Sequence, residues 1–214
     1  MMKVVELRNK IPNIKSDHMD LDLKSKIISH RIGFFPYCSG LLNIDVDELP
    51  KKCLMIVGQD YGTVDLIKNG DKNQTTLTNT KSLIKDYPQE KLFLTNLFLG
   101  LRKEKSMIGI NPSLKNKETS YLGSCFKYFK IQVASTQPKH IIILGKVPYN
   151  FICDMYNKPE FKVQSFLKYY SKIDLNGFFK IDNINVLCIP HPSMLNSNVK
   201  NKDELINRIN NFIT

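Results

Sequence analysis

An imidazole, a carboxylate and a side-chain amide each follow a short apolar run in this chain. His191 stands in Pro190-His191-Pro192-Ser193-Met194-Leu195, Asp60 stands in Gly58-Gln59-Asp60-Tyr61-Gly62, and Asn96 closes Leu92-Phe93-Leu94-Thr95-Asn96. A carboxylate in such a place can orient a water or stabilise a cation. An amide can read the edge of a base, and an imidazole can donate a hydrogen bond to a developing oxyanion. The flanking glycines, and Gly145-Lys146 after a further apolar run, let a ligand approach the backbone closely. Taken singly, each group is equally at home in an ordinary turn, and as a set they suit many α/β hydrolases and transferases.

For these groups to meet, the runs before them must lie side by side. Residues 53–57, 92–96, 140–144 and 185–189 are each about five residues long and rich in branched or aromatic side chains, the signature of strands buried on both faces of a parallel sheet. Between them lie helical patterns at 79–87, 120–135 and 148–156. A further helix is expected at 20–31, and another at 202–212, where Leu205, Ile206, Ile209 and Phe212 share a face. Polar stretches at 68–73, 106–116 and 175–185 read as loops. Alternating strands and helices predict an α/β fold, a three-layer α/β/α sandwich around a central four-stranded parallel sheet, with residues 1–214 as a single domain. Ligands of such sheets bind beyond the carboxyl ends of the strands, where the three groups stand.

Composition narrows the function. The chain has 214 residues and a formal net charge of +11, with a pI near 9.3. That balance favours a polyanionic partner, because each Lys or Arg beside a phosphate releases condensed counterions. The joint richness in Lys, Asn and Ile also fits a genome of biased base composition, and the Lys-rich stretch 115–130 fits either a DNA-facing surface or a solvated helix face. The five cysteines are scattered without a C-x-x-C pair, so no disulfide framework, zinc site or iron–sulfur site is expected. His18 and His30 are not spaced as metal ligands. No apolar stretch approaches the ~20 residues that span a bilayer, and the first residues lack an apolar signal core. The expectation is a cytoplasmic monomer with no membrane contact, no cofactor and no metal.

The order and spelling of the motifs say more than their chemistry. Gly58-Gln59-Asp60 after the first strand, Leu94-Thr95-Asn96 closing the second, Ile143-Leu144-Gly145-Lys146 ending the third and His191-Pro192-Ser193-Met194-Leu195 after the last together resemble the uracil-DNA glycosylase superfamily. The resemblance spans residues 50–197. It implies an enzyme that flips a damaged base out of DNA and hydrolyses its N-glycosidic bond. Asp60 would then place the attacking water and face the sugar cation, and His191 would hydrogen-bond the base oxygen where negative charge builds. Asn96 would read the base edge, with Gly58, Gln59, Tyr61 and Gly62 completing the pocket. Ser193 and Lys146 would touch DNA, and Leu195 would wedge into the space left by the flipped nucleotide.

The chain also departs from that pattern. Tyr61-Gly62 replaces the family's Pro-Tyr, so the ring that blocks the thymine methyl is missing at position 62. No aromatic lies between Tyr61 and Tyr87, which leaves Tyr61, Phe34, Phe35 or Tyr37 as the ring that stacks on the base. The cysteines of the family's iron–sulfur branch are absent. Two other classes stay open on sequence grounds: a non-catalytic DNA-binding module on the same fold, and an α/β enzyme acting on free nucleosides or nucleotides.

Overall fold

Apolar runs without polar alternation make stable strands only where both faces are covered. In the computed structural model, which describes residues 3–21, 48–64, 75–103, 110–166, 168–170, 179–192 and 199–214, all four expected runs lie in such a place. Helix α1 (Val4–Asn9) leads to β1 (Met19–Asp20), and the first run forms β2 (Leu54–Gly58). Helix α2 (Thr75–Leu83) precedes β3 (Leu92–Asn96), and a two-residue strand, β4 (Leu101–Arg102), follows. A single turn, α3 (Pro112–Lys115), opens into α4 (Thr119–Thr136). The chain continues through β5 (His140–Leu144), α5 (Lys146–Met155), β6 (Phe179–Ile181), β7 (Ile184–Ile189) and α6 (Val199–Ile213).

The main sheet has the order β3-β2-β5-β7-β6. Strands β3, β2, β5 and β7 run parallel. Every residue of β2 and β3 is buried, so helices must cover both faces, as a three-layer sandwich requires. Gly58 pairs with Asn96, Val57 with Ile143, and Leu144 with Ile189. The carboxyl ends of the four parallel strands therefore form one row, and the residues that follow them emerge along one edge.

Several elements depart from the sequence reading. Strand β6 adds a fifth, antiparallel edge strand inside the stretch expected to be a loop. Its pattern is buried, exposed, buried over Phe179, Lys180 and Ile181, and Asp182 turns the chain back at φ 52, a conformation that Asp tolerates better than most residues. Part of the loop expected at 106–116 is helix α3. Its cap is Asn111, whose side-chain oxygen accepts from the Ser113 N–H at 3.0 Å, with Pro112 in the first turn. Helix α2 starts and ends four residues earlier than expected. Asp20, read as the start of a helix, is in strand β1; residues 22–31 of that helix, the loop at 68–73 and the rings Phe34, Phe35 and Tyr37 lie outside the described residues.

A second, two-stranded sheet pairs Met19 with Arg102 and Asp20 with Leu101. It docks the N-terminal segment against the stretch that follows β3. Gly100 makes the turn possible at φ +107, and a Cβ there would lie 2.8 Å from the Asp20 carbonyl oxygen. Cys53, Cys125, Cys153 and Cys188 are buried free thiols. Burial pushes Cys53 and Cys125 up to about 11, so neither offers a thiolate nucleophile near neutral pH. Among the described residues no helix is long and apolar enough to cross a membrane.

The docking of β1 on β4 gives a direct test. Gly100→Ala places a Cβ against backbone in a left-handed conformation, and should lower unfolding free energy by about 1–3 kcal/mol. Urea denaturation measures it. A variant as stable as the parent would mean that this tight approach does not exist in solution.

Candidate active site

Asp60 leaves the end of β2 two residues past Gly58 and is, among the described residues, the most densely bonded group at the sheet edge. Four nitrogen atoms lie within 3.2 Å of its Oδ2: Arg102 Nε and Nη2, each at 2.9 Å, Asn111 Nδ2 at 3.1 Å and Gln59 Nε2 at 3.2 Å. The other oxygen, Oδ1, accepts from the Gly62 N–H at 3.2 Å. The side chains of Asp60 and Arg102 are only 6% and 2% exposed. A guanidinium keeps its charge at any pH a protein survives, so a buried Arg needs a buried anion beside it.

The Tyr61-Gly62 departure has a local cause. Asp60 Oδ1 folds the chain back onto the Gly62 N–H, a turn that Asp side chains form two residues on. Gly62 takes φ 86, which a side chain would resist. Its carbonyl then accepts from the Arg102 N–H at 2.7 Å, and Thr63 bridges to Arg102 in parallel. Gly62 thus brings the backbone of the Asp60 loop onto β4. Tyr61 packs into the core at 3% exposure, and does not stand open at the mouth of the sheet as a free stacking ring would.

Helix α4 sets the height of β4. The Tyr121 hydroxyl donates to the Leu99 carbonyl, and the Leu99 N–H donates to Cys125 Sγ at 3.4 Å. On the other side the Leu97 and Phe98 N–H groups donate to the Gly58 and Gln59 carbonyls at 2.9 and 2.8 Å. These four bonds hold residues 97–100 between α4 and β2 and deliver Arg102 to the carboxylate. The Gly58 and Gln59 carbonyls are accordingly engaged by the fold. Asn96, at the end of β3 and opposite Gly58, is 2% exposed.

His191 follows β7. Burial pushes its imidazole below the ordinary 6.5, and the Asp60 charge opposes that without reversing it. Burial thus favours the neutral imidazole. Gly145, at φ +93 between β5 and α5, lies against it; a Cβ there would stand 3.6 Å from the His191 Cβ. The Pro192 carbonyl accepts from Asn79 Nδ2 at 2.8 Å, which ties the segment to α2. Lys146 is exposed at the first position of α5. Ser193 and Leu195 lie outside the described residues.

Sequence reading missed Arg102, Asn111 and Asn79. Arg102 had one signal, a lone charge closing the apolar stretch 92–101. Asn111 had another, the cap signature Asn-Pro-Ser. Asn79 had none, because a polar residue on a helix carries no mark of its partner. Among the described residues no cluster of three or more His, Cys, Asp or Glu is placed to hold a metal.

Residues 50–214 match the family model described as the uracil DNA glycosylase superfamily. No curated protein matches the chain.

The histidines make a prediction about pH. The pKa of His191 is lowered by burial, and that of His140 by burial and by Lys139. Each binds fewer protons folded than unfolded between its folded pKa and 6.5, so stability rises with pH across that window. The stabilisation is complete above 6.5 and is lost as pH falls below it. The melting temperature should therefore drop from pH 7.5 to 5.5, and His191→Gln should flatten the acid-side slope. An unchanged slope in that variant would remove His191 as a source.

Proposed function

The chain belongs to the uracil-DNA glycosylase superfamily, and on that premise we propose that it hydrolyses the N-glycosidic bond of uracil or a related damaged base flipped out of DNA. The observation that carries this reading is the row of parallel strand ends, where Asp60 follows β2, Asn96 closes β3 opposite Gly58, and His191 follows β7. Bond cleavage leaves positive charge on the sugar and negative charge on the base, so an anion and a neutral donor are needed together.

In the proposed reaction the C1′–N1 bond breaks and its electron pair leaves with the base. A water oriented by Asp60 bonds to C1′, its proton passes to solvent, and the base anion is protonated in turn. His191, neutral, donates to the base oxygen as charge builds; an imidazolium would cost more to bury there. Asn96 reads the base edge and favours uracil over cytosine, whose donor and acceptor pattern is reversed. Gly58, Gln59, Tyr61 and Gly62 shape the pocket around it. Lys146 and Ser193 contact phosphate, and Leu195 fills the gap in the duplex. The net charge of +11 supports DNA as the partner.

One observation favours a second reading, a non-catalytic DNA-binding module. A carboxylate with four nitrogens on one oxygen resembles a structural ion pair as much as a catalytic group.

A single assay separates the two. Oligonucleotides carrying uracil, hydroxymethyluracil, hypoxanthine or mispaired thymine are incubated with the protein and treated with alkali to reveal abasic sites. The glycosylase reading expects strand breaks at one or more of these bases, and His191→Leu should slow release roughly 100-fold, the cost of losing one placed donor. Salt-sensitive binding with no base released from any substrate would establish the binding module instead.

A further inference from the structure

We propose that Arg102 is a positioning residue for Asp60: with Asn111 it fixes Oδ2, so that Oδ1 is the oxygen that meets the reacting water. The inference rests on the glycosylase reading and says how the carboxylate is aimed.

The two oxygens are unequal. A carboxylate oxygen has two lone pairs, and Oδ2 already faces four nitrogens. Nothing remains there for a water. Among the described donors only the Gly62 N–H reaches Oδ1, which leaves one lone-pair direction for a further partner. The asymmetry is locked from behind. Arg102 has its backbone N–H on the Gly62 carbonyl and sits in β4, clamped between the Thr63 bridge and β1. Its guanidinium is planar, and Nε and Nη2 both reach Oδ2 at 2.9 Å, so that oxygen is held in the mouth of the fork. Asn111 cannot turn its amide round, because its oxygen caps α3 on the Ser113 N–H while its nitrogen serves Asp60.

A purely structural ion pair would also look buried and well bonded. What separates the two roles is where a substitution acts. Arg102→Lys keeps the charge, so Asp60 is not left buried without a counter-ion, but it loses the planar fork. Asn111→Ser keeps an oxygen able to cap α3 and loses the donor to Oδ2. Both side chains are buried, so neither substitution removes an exposed group.

The experiment is single-turnover release of whichever panel base the parent removes, alongside the Kd for the same oligonucleotide carrying an abasic-site analogue and the melting temperature of each variant. The expected result is a fall in rate of roughly 100-fold for R102K and roughly 10-fold for N111S, since a misaimed group costs rate even when binding survives. The Kd should stay close to that of the parent, and the fall in melting temperature should leave each variant folded at the assay temperature. Variants that fold and release base at the parental rate would overturn the inference and leave the glycosylase reading standing. So would a loss confined to Kd or to melting temperature. A parent protein that releases no base from any substrate overturns the glycosylase reading, and this inference with it.

Discussion

The contact between Arg102 and Asp60 constrains most of what surrounds it. Two opposite charges are held at 2.9 Å with almost no exposure to water. Taking them out of solvent costs several kcal/mol per ion, and their attraction offsets that only if the remaining polar atoms also find partners. The surrounding structure meets that condition with donors from the turn that holds Asp60 and from a distant helix cap. Gln59 comes from the Asp60 loop itself, Asn111 from the cap of α3, and the Gly62 N–H from the turn after β2. None of these bonds survives a shift of about an ångström in its element, because hydrogen bonds weaken steeply with distance and angle. The glycines at 62 and 100, the Tyr121 and Cys125 contacts to Leu99 and the ribbon of β1 on β4 follow from the same requirement.

Part of that framework lies outside the region shared with the family. The match begins at residue 50, yet Met19 pairs with Arg102 and is fully buried. Ser16 organises the approach: its Oγ donates to Glu118 at 2.7 Å and accepts from the Met19 N–H at 3.0 Å. Glu118 also accepts from the Asp17 N–H at 2.9 Å. The N-terminal segment is thus stitched to the start of α4 and pairs with the strand that carries Arg102. A low local dielectric there strengthens each contact that Asp60 makes.

The sheet was legible in the sequence because its physics is local. A continuous apolar run of five residues between turn residues has few options besides a doubly covered strand, and the runs at 92–96 and 140–144 match β3 and β5 to the residue. The apolar face of Tyr121, Leu122, Cys125, Phe126 and Phe129 likewise gave α4 within one residue at each end. Strand β6 escaped because three residues are too few to show alternation. The chemistry at the strand ends was legible as residue types only. That Asp60 would face Arg102, 42 residues on, depends on where α4 holds residues 97–100, and no pattern within either segment records it. Tyr61 and Gly62, legible only as departures from the family spelling, take their meaning from that same pair.

Pairing does not disarm Asp60 as an electrostatic group. A sugar cation about 4 Å from a carboxylate gains about 4 kcal/mol at an effective dielectric of about 20, and a guanidinium about 3 Å farther away takes back roughly 2 kcal/mol. About half of the stabilisation remains, and it comes from a group whose direction is already fixed, so little reorganisation is left to the moment of reaction. The balance of charge also suits the approach of DNA. An unpaired anion in the cleft would repel phosphates, whereas an ion pair beside a neutral His191 presents little net charge and leaves the overall charge of +11 to draw the polymer in. The same reasoning puts weight on the leaving base. On the proposed reading, with the cation stabilised by half a carboxylate's field, more of the barrier is left to the anion side, where His191 and the acidity of the base itself would act. On the proposed reading, rates should therefore rise with the stability of the departing base anion.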